Sequence, residues 1–303
     1  MEGTVEFKIP GVSKSCQTWY KVVGDLNAPN STPLIILHGG PAASHDYLLP
    51  LTDLAPTVPI IFYDQIGGGR STHLPEKAGD KTFWVIELFM QELDNLLTHL
   101  GLSQKPFDLY GHSWGGILAV TWASTPSAIS ANLRRLIISN IPASAELYMT
   151  ALATLRKQLP EETQAALDRG EAKMELTSPE YMAALEVFGK KHLSLARPWP
   201  SEEVQALYHW QAKGLDVYTV VYGPNQFLCR GTISTWNSIP SLHKIKAQTL
   251  VIDGTEDMPA EAVQPLFDHI EKVKWVTLDN AAHFTHVDQR DKYMRHLRAF
   301  LTV

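Results

Sequence analysis

Cysteine is nearly absent from this chain: Cys16 and Cys229 are the only two in 303 residues. Two thiols cannot frame a disulfide scaffold, and their pairing is not expected. Long apolar runs are missing too. The longest, such as residues 34–37 and 136–138, are strand-sized, well short of the ~18 residues that point to a membrane-crossing helix. The opening residues, MEGTVE, contain no basic stretch leading into an apolar one. No secretory leader is therefore expected, and the chain reads as cytoplasmic. Clustered positive charge is also lacking. Lys and Arg total 26 against 32 Asp and Glu, for a formal charge of −6, and no basic run exceeds two residues. That makes the chain a poor candidate for binding nucleic acid. No zinc-type ligand spacing stands out, and no metal or cofactor is expected.

What is present is an ordinary globular balance, with 45% apolar and 19% charged residues. A chain of this length buries about three-quarters of its unfolded surface, enough for a core without staples. It suggests one large domain, or one domain carrying an insertion. Strand-like runs at 5–9, 19–23, 33–38, 59–64, 107–110, 136–139, 249–253 and 275–278 alternate with helical patterns at 82–100, 115–123, 259–270 and 288–301. The continuous apolar runs PLIILH and PIIFYD are typical of strands covered on both faces. Such alternation predicts a mostly parallel, doubly wound sheet with helices on both sides.

Residues 141–240 break the pattern. They read as helical, with starts at Ser178-Pro179-Glu180 and Ser201-Glu202-Glu203, and contain no convincing buried strand. We expect a helical cap over this span, inserted between core segments 1–140 and 241–303.

Gly111-His112-Ser113-Trp114-Gly115 fits G-x-S-x-G, entered from a strand and left by a helix. That context describes a sharp elbow that lifts Ser113 off the sheet as a nucleophile. A serine hydroxyl needs a base, and the base an orienting acid, in the chain order Ser, Asp, His. Asp257 lies in the loop beyond the strand at 249–253, whereas Asp253 ends the strand; Asp253 and Glu256 read as structural or solvated. His283 follows the last strand in a loop of small residues, and His286 falls in the first turn of the last helix. A His283–His286 metal pair lacks further ligands. The loop His38-Gly39-Gly40-Pro41 offers one oxyanion amide at Gly40, and Trp114 supplies the second. The glycine-rich stretch 64–71 (DQIGGGRS) has Arg70 where a phosphate loop needs Gly-Lys, so it reads as a shaped, structural loop. Tyr208, Trp210, Tyr218, Tyr222 and Phe227 of the cap are candidates for an apolar pocket.

With these residues in place the sequence resembles the proline iminopeptidase family of α/β-hydrolases, especially its tricorn-interacting aminopeptidase branch. The resemblance is carried by HGGPAASHDYLL (38–49), FYDQIGGGRS (62–71), GHSWGG (111–116), YGPNQFLCRGT (222–232) and AAHFTHVDQRDKY (281–293). It implies Ser113 as nucleophile, Asp257 as acid, His283 as base and a cap at about 141–240. Gly39, Tyr222, Gln226 and Met258 then become substrate-binding candidates. In aminopeptidase members a GPNEF-like motif and an acidic residue after the catalytic Asp hold the free α-amine. Here those positions are Gln226 and Met258, and both charges are gone.

The sequence therefore predicts a cofactor-free serine hydrolase, working through an acyl-enzyme on a small-molecule ester or amide without a free α-amine. Three alternatives stand beside it. One is a prolyl aminopeptidase using other cap carboxylates, such as Glu186, Glu202 or Glu203. Another is an acyl-enzyme resolved by a hydroxyl of the substrate, giving a lactone. The last is a non-catalytic binding protein on this fold. No nucleic-acid or membrane partner is expected.

Overall fold

The computed structural model describes residues 1–26, 28 and 31–302. Its strands are β1 (Glu2–Phe7), β2 (Cys16–Val23), β3 (Leu34–Leu37), β4 (Ile60–Asp64), β5 (Phe107–His112), β6 (Leu133–Ser139), β7 (Gln248–Gly254) and β8 (Val273–Leu278). They form one sheet in the order β1-β2-β4-β3-β5-β6-β7-β8. β2 pairs antiparallel with both β1 and β4, and every other pairing is parallel. The first two strands start earlier than the apolar pattern predicts: main-chain pairing carries β1 past its buried residues, and β2 opens on Cys16 and Thr18, both buried. The helices are α1 (Ile86–His99), α2 (Trp114–Ala123), α3 (Ala145–Arg156), α4 (Glu161–Lys173), α5 (Pro179–His192), α6 (Glu202–Lys213), α7 (Leu215–Val221), α8 (Ala260–His269), α9 (Thr285–Asp288) and α10 (Arg290–Thr302).

Alternate residues of β3 and β4 enter different cores, which explains their unbroken apolar runs. Ile35, Leu37, Ile61 and Tyr63 pack with Phe89 and Leu93 of α1, Leu118 of α2 and Leu266 of α8. Leu34, Ile36, Ile60 and Phe62 pack on the opposite face with Leu48 and Leu51 and with Tyr293 and Leu297 of α10. Burial on both faces is what a central parallel strand requires. Both cysteines are free thiols, Cys16 buried and Cys229 half-buried. No helix among the described residues is long and apolar enough to cross a membrane.

Two helix boundaries depart from the sequence pattern. α1 begins at Ile86 rather than at 82, because the Asp80 carboxylate accepts from the Thr82 and Phe83 amides and closes a separate turn. The last helix is split into α9 and α10, so His286 sits in a short helix of its own. Asp288 at the break accepts from Ser194 Oγ at 2.7 Å, the Leu195 amide at 2.9 Å and the Ala282 amide at 2.8 Å. It tethers the end of α5 to the loop carrying His283.

Between β6 and β7 the chain forms α3–α7. Ser144, Ser178 and Ser201 cap α3, α5 and α6 through their side-chain oxygens. This segment has a small core of its own, including Leu152, Leu167, Tyr181 and Phe188, while Ala151, Val217 and Val221 join the main core. Its neck is pinned where Ala145 N donates to Trp236 O (2.9 Å) and Ser238 N to Ala143 O (3.1 Å).

Candidate active site

Ser113 sits between β5 and α2 with φ 55° and ψ −126°, a backbone conformation that a non-glycine residue rarely holds. The flanking glycines make the elbow sterically feasible. A Cβ at Gly115 would strike the Leu37 carbonyl of β3, and one at Gly111 the Gly115 carbonyl. The turn thus brings the start of α2 against the sheet edge and leaves Ser113 on the wall of a cavity.

Asp257 and His283 reach the same cavity from the loops after β7 and β8. His283 Nδ1 lies 3.0 Å from Asp257 Oδ1. The carboxylate can only accept, so Nδ1 carries the proton and Nε2 keeps a lone pair, the tautomer a general base needs. The second carboxylate oxygen, Oδ2, accepts from Asn140 Nδ2 at 2.8 Å. Asn140 is held in turn, donating to Thr285 Oγ1 (2.9 Å) and accepting from Ser139 Oγ (2.6 Å). Ser113 Oγ has no hydrogen bond among the described residues and is open to the cavity. Nucleophile–base contacts of this kind tighten only once substrate is bound.

The amides of Gly40 and Trp114 have no protein acceptor among the described residues, and both residues line the space beside Ser113. Trp114 is the first residue of α2, where helical N–H groups are unpaired and the helix end is electropositive. Two free amides next to a serine suit a developing oxyanion. Gly39 has a different place from the one expected of a substrate-binding residue: its amide donates to Tyr47 Oη at 2.6 Å.

The glycine-rich loop holds this arrangement from behind. Gln65 donates through Nε2 to the His38 carbonyl (2.8 Å) and accepts through Oε1 from Trp114 Nε1 (2.7 Å). The His38 ring accepts from the Gln65 amide through Nε2 (3.0 Å). A Cβ on Gly68 would meet the backbone of Ala42 and Ala43, so the loop packs flush against the oxyanion strand-end. Arg70 is gripped between Trp19 and Trp210, with its guanidinium on Asp46 at 3.1 Å.

The space below α3, α5, α6 and α7 measures about 880 Å³ with the open solvent at its mouth included. Tyr148, Tyr208, Tyr218, Tyr222, Gln226 and Met258 line it, with Leu152, Leu155 and Phe188. A second, mostly apolar recess, about 470 Å³ with the adjoining open solvent included, opens beside Ser113 against Ile141, Ile233 and Trp236. Of the five aromatic residues expected in the pocket, Trp210 instead donates to Asp46, and Phe227 packs against Phe188. Asp257 is the one carboxylate lining either space among the described residues. Glu186 is half-exposed and paired with Lys190 (2.6 Å), and neither Glu202 nor Glu203 lines the cavity. Burial pushes the hydroxyls of Tyr148, Tyr218 and Tyr222 well above their ordinary value, the mark of a chamber hostile to charge.

Four residues of the site escaped the sequence reading: Tyr47, His112, Asn140 and His192. Asn140 had a usable signal, since it directly follows β6 at the carboxyl edge of the sheet, where sites of this architecture gather. His192 ends α5, donates from Nδ1 to the Glu256 carbonyl (2.8 Å), and lines the cavity. Nothing local distinguishes it. Asp253 is buried and accepts from Trp275 Nε1 at 3.0 Å, away from the cavity.

Fold and site together define the class, and residues 32–289 match the alpha/beta hydrolase fold family: the chain is an α/β-hydrolase. It is 32% identical over 301 residues to the proline iminopeptidase of Lactobacillus crispatus, covering 98% of each chain. It is 33% identical over 285 residues to that of Thermoplasma volcanium, covering 93% of this chain and 92% of the relative. Among solved structures, VinJ superposes with a TM-score of 0.91 at 36% identity, over 99% of this chain and 98% of that one. The proline iminopeptidase of Mycobacterium smegmatis does so with a TM-score of 0.87 at 34% identity, over 99% and 97%. More narrowly, then, the chain belongs to the proline iminopeptidase family of hydrolytic enzymes.

Proposed function

We propose that this protein is a serine hydrolase acting, through an acyl-enzyme, on a small ester or amide whose acyl group carries no free α-amine. Ser113 Oγ attacks the carbonyl carbon as His283 Nε2 takes its proton, and Asp257 holds the imidazolium. The amides of Gly40 and Trp114 stabilise the oxyanion. Collapse expels the leaving group, protonated by His283. Water, deprotonated by the same nitrogen, then releases the acid and regenerates Ser113. Residues 141–240 act as the cap that keeps bulk water from the chamber, and the free thiols suit a cytoplasmic enzyme.

One observation carries the substrate class. Among the described residues the chamber offers no carboxylate beyond Asp257, which already serves His283 and Asn140. An α-ammonium would be stripped of water among tyrosines without a counter-charge, which is costly. The second reading, a prolyl aminopeptidase, is supported by the full-length similarity to proline iminopeptidases. Cyclopentanecarbonyl p-nitroanilide and prolyl p-nitroanilide separate the two, since they share ring size and leaving group and differ at the ring nitrogen. Higher kcat/KM for the neutral compound is expected; a clear preference for the prolyl compound would overturn the assignment.

A further inference from the structure

We propose that Tyr47 and His112 are positioning residues that lock the oxyanion loop to the loop of the base through one directional chain of hydrogen bonds. The Gly39 amide donates to Tyr47 Oη at 2.6 Å, Tyr47 Oη lies 2.9 Å from His112 Nδ1, and His112 Nε2 lies 2.8 Å from the His283 carbonyl oxygen. The ends determine the direction of every proton. A backbone amide only donates and a backbone carbonyl only accepts, so Tyr47 Oη receives from Gly39 and His112 Nε2–H gives to His283. A neutral His112 then has a bare Nδ1, and the Tyr47 hydroxyl must donate to it. Every donor and acceptor along the chain is used.

The protonation state agrees. Burial, reinforced by His283 and His286 nearby, holds the His112 imidazole well below its ordinary value and keeps it neutral. Tyr47 and His112 are both almost fully buried. Tyr47 also packs against its surroundings: its ring stacks on Phe284 at 5.1 Å, and its carbonyl accepts from His286 Nε2 at 3.1 Å. The chain joins three segments at their functional residues. Gly39 precedes the oxyanion amide of Gly40, His112 precedes Ser113, and the acceptor belongs to His283 itself. Breaking the chain lets the oxyanion amide and the imidazole drift relative to each other. That harms the transition state more than the bound substrate.

The inference rests on Ser113 and His283 being nucleophile and base, so the test starts with fluorophosphonate labelling of the unaltered enzyme. Hydrolysis of p-nitrophenyl butyrate and thermal melting are then followed in Tyr47→Phe, His112→Leu, His112→Gln and the Tyr47→Phe/His112→Leu pair. Tyr47→Phe is expected to lower kcat at least about tenfold with KM within about threefold. The double variant should be no worse than His112→Leu, because a chain broken once is broken. His112→Gln, whose amide presents an acceptor and a donor about as far apart as the ring nitrogens, should come within about threefold of the unaltered kcat. Unchanged kcat in Tyr47→Phe, multiplying losses in the double variant, or no recovery in His112→Gln would each overturn the chain while leaving Ser113 and His283 standing. Should His112→Leu fail to fold, Tyr47→Phe and His112→Gln decide the matter. An unaltered enzyme that does not label would remove the reading of Ser113, and the chain with it.

Discussion

Gln226→Glu, alone and with Met258→Glu, tests the proposed exclusion of a free α-amine from the chamber. Both side chains line the chamber beside Tyr148, Tyr218 and Tyr222, where burial already drives the phenols upward. An ammonium brought to ~4 Å from a carboxylate there gains about 4 kcal/mol at an effective dielectric near 20. Part of that is returned in desolvating the new carboxylate, which leaves about 2–3 kcal/mol net. This corresponds to roughly thirty- to a hundred-and-fiftyfold in the ratio of kcat/KM for prolyl over cyclopentanecarbonyl p-nitroanilide. The same burial raises the introduced carboxyl above its ordinary range. The ratio is therefore best read near pH ~7.5, where such a carboxyl is ionised and an α-amine is still largely charged. The double variant should shift the ratio further, by less than the square of the single effect, because the two carboxylates repel each other. A ratio within threefold of the unaltered enzyme, in a variant that melts normally, would refute the argument: the amine end of a substrate would then not meet Gln226 at all.

Three further outcomes are expected. Ser113→Ala should abolish fluorophosphonate labelling and lower turnover by about three or more orders of magnitude, and undiminished labelling would exclude Ser113. His283→Ala should be as damaging as Ser113→Ala, whereas His286→Ala should keep most of its turnover while melting lower, since the fully buried His286 packs against Tyr47 and Phe284; the reverse ranking would exchange their roles. Stability should fall on both sides of a broad optimum, as melting temperature against pH will show. Glu92, buried under Thr18 and Ile66, has its carboxyl pushed from 4.5 to about 8, chiefly by burial. The folded state therefore holds a proton that the unfolded state has lost between those values, and stability declines as pH rises across that window by up to about 5 kcal/mol. His286 is pushed from 6.5 down to about 4 by burial. The unfolded state binds the extra proton there, so stability declines as pH falls from 6.5 to 4, by up to about 3 kcal/mol. The two contributions offset each other between pH 4.5 and 6.5, so Glu92→Gln should flatten the alkaline limb and let the acid limb begin nearer pH 6.5; an unchanged alkaline limb would remove Glu92 from the account.

Much of this protein was legible in one dimension because its cues are local. Apolar runs at 34–37 and 60–64 need no partner to declare themselves two-faced strands. Ser178 and Ser201 announce helix starts by their own chemistry. The glycines around Ser113 record a steric demand of the elbow in the sequence itself. Ser113, Asp257 and His283 could be nominated because each follows a strand, and the strands order themselves along the chain. Only the tertiary structure could decide what lies across from what. Asn140 finds Asp257 across 117 positions, and His112 reaches the His283 carbonyl across 171. Neither contact leaves a local trace, since any residue at a sheet edge could point elsewhere. Asp288 reads as an ordinary helix start until folding brings the end of α5 against it. Trp210 and Phe227 are aromatic residues in a helical span like Tyr218 and Tyr222. Only folding set the first against Asp46, placed the second in the segment's own core and put the two tyrosines on the wall of the cavity that holds Ser113. The lack of a counter-charge lining the chamber among the described residues belongs to both levels: the sequence records Gln226 and Met258, and none of the glutamates of α3 to α7 lines the cavity.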